Sequence, residues 1–149
     1  MKLFPLVTIT LLFFAIFACS THHKEANTDM KAALDTAHYT TVKWLDSTVQ
    51  FGGIPKGEHI TVRFRCKNTG NEPLILVNVR SECGCTVTSY TEHPIMPGSE
   101  GLIEAAFDSE HVPGGNVRKT VIANTNTKNG MEHYLFFEGQ VIADSVANH

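Results

Sequence analysis

Two thiols one residue apart, Cys83-Gly84-Cys85, are the most pointed chemistry in this sequence. Three outcomes are open to such a pair. A disulfide between the two closes a very small ring, and a strained bond of that kind is oxidising and easily reduced, which suits thiol exchange. As thiolates, the two sulfurs reach one soft cation together, with Gly84 permitting the tight backbone. Copper(I) is the natural ion, and His93 and Met96 follow as further soft ligands. In the structural outcome, one of the pair bonds Cys66 across the strands, or the thiols fill a turn. The structural outcome is favoured. The motif alone offers two ligands where structural zinc takes four, and no helix N-terminus stands by to lower a thiol pKa. Cys66 is in phase with Ile60, Val62 and Phe64, so a small buried hydrophobe is its expected role.

The fourth cysteine, Cys19, belongs to a different chemistry. Met1-Lys2 gives a positive start, and Leu3 to Phe17 is almost wholly apolar and shorter than the roughly twenty residues of a membrane-spanning helix. Charge, apolar run and small residue form a secretory signal pattern. Ile16-Phe17-Ala18-Cys19 resembles the bacterial lipobox, although Phe17 is bulkier than the usual residue there. That resemblance implies cleavage before Cys19 and its acylation as a durable membrane anchor. Ser20, with no acid beside Cys19, leans towards outer-membrane sorting. The polar stretch to His38 reads as a flexible tether of about 25 Å, with two marginal helical turns over Asp29–Thr36. His22-His23 lies within it and lacks a third metal ligand nearby.

The remaining chain must position the thiols. It has 149 residues, 42% hydrophobic and 18% charged, enough for one packed domain. A net charge of −3 argues against nucleic acid as a partner. Short β-rich runs recur between turn signals: Thr40–Trp44 with Val49–Phe51, His59–Lys67, Leu74–Arg80, Cys85–Tyr90, Gly101–Asp108, Val117–Asn124 and Glu132–Ile142. In His59–Lys67 apolar and polar residues alternate, as on a half-buried strand. Leu74–Arg80 is apolar at nearly every position and is expected to be covered on both faces. Gly52-Gly53-Ile54-Pro55-Lys56-Gly57 is expected to break the chain, and Asn129-Gly130 to turn a hairpin. Some seven such strands without a crossover helix predict an all-β, immunoglobulin-like antiparallel β-sandwich. Trp44, Phe51, Phe64, Phe107, Leu135 and Phe137 lead its predicted core.

Phe51-Gly52, Phe64-Arg65-Cys66-Lys67-Asn68-Thr69-Gly70, Pro73-Leu74, Ser81-Glu82-Cys83-Gly84-Cys85-Thr86, Ile95-Met96-Pro97-Gly98 and Thr125-Asn126 occur in this order. Together they resemble the bacterial family called domain of unknown function 1573, from about Trp44 to Val141. The resemblance implies a sandwich like those of the Hydin and major sperm protein group, and a secreted or lipid-anchored setting. It implies no activity. Cys66 departs from the plain hydrophobe usual at its position.

The expected organisation is a leader (1–18), an acylated Cys19 with tether (19–39), a sandwich (40–143) and a tail (144–149). Asp108-Ser109-Glu110-His111 offers an acid, a hydroxyl and an imidazole, yet nothing indicates an oxyanion hole, so it reads as a polar loop. Asp46, Glu58, Glu92 and Glu100 read as solvated, and Arg63, Arg65, Lys67 and Arg80 as an outward basic stripe. The function expected is a non-enzymatic, lipid-anchored envelope module that binds a protein or another envelope component. The alternative is a copper- or thiol-handling protein built on Cys83 and Cys85.

Overall fold

The computed structural model describes residues 38–82 and 85–143. The leader, Cys19, the tether with Asp29–Thr36 and His22-His23, the pair Cys83-Gly84, and 144–149 lie outside the described residues.

Eight strands are described: β1 (Val42–Trp44), β2 (Thr48–Pro55), β3 (His59–Asn68), β4 (Leu76–Glu82), β5 (Cys85–Tyr90), β6 (Glu100–Asp108), β7 (Gly115–Thr125) and β8 (Glu132–Ile142). They form two four-stranded sheets, ordered β1-β3-β6-β5 and β2-β8-β7-β4. The fold is the predicted all-β sandwich. Its centre is β3 against β6, where Val62 faces Ala105 and Phe64 faces Ile103 in register. Both strands alternate buried and exposed residues, because each has one face on the core and one in water.

Between the sheets, Phe107 meets Phe137 with ring centroids 5.6 Å apart and Phe51 at 5.8 Å. Phe64, Phe107, Leu135 and Phe137 are fully buried, while Trp44 and Phe51 are partly buried and pack on the core's margin.

Several sequence expectations change. The first predicted run divides into β1 and β2, which sit in different sheets. β2 continues through Gly52-Gly53 to Pro55 instead of breaking there, and it pairs parallel to β8. A bulge between Gln50 and Gly52 absorbs the irregularity, with Gly52 at a φ of 76°. Across the pair, a Cβ on Gly139 would lie 2.4 Å from the Gly52 carbonyl oxygen and 2.5 Å from the Phe51 ring, so only hydrogen fits. The crossover joining this parallel pair is the rest of the domain, β3 to β7, which is why no crossover helix is needed.

Leu74–Arg80 is likewise not a strand covered on both faces. Leu74 bridges Ile95 ahead of β4, which is a sheet edge with Asn78 and Arg80 exposed. The basic stripe is largely neutralised: Arg63 pairs with Glu104, Arg65 with Asp46 and Arg80 with Glu132, at 2.6–2.7 Å. Asp46 is therefore not simply solvated. The Arg65 guanidinium holds its carboxyl below the usual value.

Candidate functional site

Cys85 opens β5 in the first sheet, and β4 ends at Glu82 in the second. The Ser81 hydroxyl donates to the Cys85 carbonyl at 2.6 Å. Cys85 is half-buried and faces Phe107 in register. Lys119 stands between the buried Val117 and Val121 in the inward series of β7, and its Nζ lies 5.9 Å from the centroid of the Phe107 ring. The inward phase of Lys119 among valines is the sequence signal for this ammonium.

The other predicted ligands lie elsewhere. Cys66 pairs with Gly101, and Cys85 with Phe107, six residues further along β6. That separation is about 20 Å, against a Cα–Cα distance of about 4.4–6.8 Å in a disulfide. A Cys66–Cys85 bond is therefore excluded. His93 lies beyond Tyr90, the far end of β5 from Cys85, and is exposed. Met96 is exposed in the turn closed by the Ser99 amide on the Met96 carbonyl. Cys66, His93 and Met96 thus do not converge on Cys85, and Cys83 lies outside the described residues. Among the described residues, no group of three or more His, Cys, Asp or Glu side chains could hold a metal ion.

Cys66 is fully buried, as its phase predicts, with Sγ 3.1 Å from where a Gly101 Cβ would stand. Burial pushes its thiol up to about 11. Because the thiolate is the nucleophile, Cys66 is expected to resist iodoacetamide at pH 8 in the folded chain and to react once urea unfolds it. Mass spectrometry of the Cys66 peptide reads this; rapid labelling without denaturant is the contrary result.

Ser109 is also buried. Its hydroxyl lies 3.1 Å from the Pro55 carbonyl and 2.9 Å from that of Glu58, stapling the β6 end to the β2–β3 turn. It is structural, in keeping with the polar-loop reading.

The opposite end carries a buried polar belt. Asn68 Nδ2 donates to the carbonyls of Glu72 and Ile95, both at 2.8 Å. Its Oδ1 accepts from the Thr40 hydroxyl at 2.8 Å and the Gly70 amide at 3.0 Å. Asn126 donates to the carbonyls of His38 and Pro73 and accepts from the Ile75 amide. His133 Nε2 lies 3.0 Å from the hydroxyls of Thr125 and Thr127, and burial lowers its pKa below the ordinary 6.5. The asparagines of Asn68-Thr69-Gly70 and Thr125-Asn126 therefore tie loops together.

Among the described residues, part of one flank of the first sheet carries no strand. The three residues of β1 cover only Cys66–Asn68 of β3, and the amides of Leu45 and Asp46 reach the Arg65 carbonyl. Arg65 thus points its backbone outward, and by strand alternation so do Thr61 and Arg63. Both are exposed, and among the described residues no strand pairs with them on that side.

Residues 42–141 match the family described as "Protein of unknown function (DUF1573)". The chain belongs to that family. Among solved structures, this DUF1573 domain is similar to a protein of unknown function from Porphyromonas gingivalis W83. The TM-score is 0.61 at 18% identity, over 73% of this chain and 50% of that one. It is also similar to the PapD-like domain 7 of human CEP192, with a TM-score of 0.50 at 14% identity over 72% of this chain and 89% of that one. The secreted serine protease VesC from Vibrio cholerae is similar with a TM-score of 0.53 at 12% identity, over 72% of this chain and 24% of the protease. The chain thus spans half the length of the Porphyromonas gingivalis protein. At these identities the likeness is one of fold, an immunoglobulin-type sandwich of PapD-like kind. No curated protein matches the chain.

Proposed function

We infer that this DUF1573 protein is a lipid-anchored, non-enzymatic module of the cell envelope that binds a protein partner by accepting a strand on its first sheet. The open flank of β3 carries the reading. Thr61 and Arg63 present outward backbone donors and acceptors, and among the described residues no strand lies beside them. An extended segment added there gains main-chain hydrogen bonds and sheet continuity together. The anchor rests on the leader and Cys19. The Asp108-Ser109-Glu110-His111 loop does not supply a nucleophile, because its serine is buried and bonded to backbone.

A photo-crosslinking residue in place of Thr61, in intact cells, is expected to give a discrete protein adduct. Arg63→Pro removes one outward N–H at an edge position where proline is tolerated, and should reduce that adduct about tenfold or more with the circular dichroism spectrum unchanged. Absence of an adduct, or its persistence in Arg63→Pro, overturns the strand reading. Palmitate labelling, expected in the parent and absent in Cys19→Ala, tests the anchor separately.

A further inference from the structure

The outer face of the second sheet holds a groove of about 480 Å³ across β2, β8 and β7. Its floor begins at Gly52 and Gly53. A Cβ on Gly52 would meet nothing within 4 Å, and one on Gly53 only the tip of Ile142, at 3.3 Å. A ligand can therefore approach the backbone there closely.

Two rows of side chains cross this floor. In one, Gly53 pairs with Gln140 and Gln140 with Asn116. Both amides are exposed, and among the described residues neither side chain makes a hydrogen bond. Each offers two donors and an acceptor. In the other row, Gln50 Nε2 donates to Glu138 Oε1 at 2.6 Å, and Glu138 Oε2 lies 3.5 Å from Arg118 Nε. Arg118 also lies over the Phe136 ring, 4.2 Å from its centroid. The acid and the guanidinium offset one another's charge.

We propose that this groove binds a neutral glycan chain. The charge is balanced within the groove, so neither an anion nor a cation is favoured. The free amides match vicinal hydroxyl or acetamido groups, which need donors and acceptors side by side. Three strands make the groove about 10 Å wide, room for two sugar rings. It lies on the sheet opposite the β3 flank, so this proposal and the strand-binding reading stand or fall separately.

The test is NMR titration of the isotope-labelled full chain with chitotetraose and, in a second arm, cellotetraose. Saturable shifts at the side-chain amides of Asn116 and Gln140 are expected with at least one of them. Binding of chitotetraose alone assigns acetamido recognition, and equal binding of both assigns hydroxyl recognition. Asn116→Ala with Gln140→Ala, and independently the groove-filling Gly53→Gln, should each weaken binding tenfold or more with the core resonances unmoved. No shift with either sugar up to millimolar concentration overturns the proposal, as does binding that survives both variants.

Discussion

Asn68→Ala is expected to destabilise the domain by about 4 kcal/mol, measured as a lower urea midpoint with an unchanged slope. The side chain is fully buried and makes four hydrogen bonds to four different residues. Alanine leaves the carbonyls of Glu72 and Ile95, the Gly70 amide and the Thr40 hydroxyl without this partner. Each unsatisfied buried group costs about 1–3 kcal/mol, partly recovered by water and relaxation. Against a total stability of about 5–15 kcal/mol, that loss is roughly a quarter or more of the whole. Asn68→Asp separates the contributions. It keeps the acceptor for Thr40 and Gly70 but cannot donate to the two carbonyls when ionised, so it should recover little. A variant within 1 kcal/mol of the parent would show that these loops hold together by other means.

Phe107→Ala should cost a similar amount, about 3–5 kcal/mol, through a cavity between the sheets. Phe107 is fully buried and touches both Phe137 and Phe51, so its ring spans the contact between the first sheet and the second. Phe107→Leu retains most of the volume and should cost under about 2 kcal/mol. Equal losses from the two substitutions would mean that ring geometry, not filled volume, holds the sheets together.

Phe107 and Asn68 differ in how far the sequence alone reveals their roles. Phe107 was readable as core because it sits at an inward position of an alternating strand. Asn68 was readable only as a turn residue. Its four partners come from segments 2 to 28 residues away, and no local pattern encodes such a set. The candidate site shows the same division. Cys83-Gly84-Cys85 stood out by spacing, and the phase of Cys66 predicted its burial. That His93 and Met96 stand at the far end of β5 from Cys85 follows from pairing register, which is not a local property.

By itself the sequence determined the strand material: apolar residues every second position, punctuated by Gly, Pro and Asn, allow little else, because a strand with one wet face must alternate. Tertiary structure alone decided that β2 leaves β1 to lie parallel to β8. It also decided that Gly52-Gly53 floors a groove, and that no described strand covers Thr61 and Arg63 on one flank of β3. Those features arise where segments distant in the chain come within a few ångströms, and the energy of such contacts depends on both partners at once.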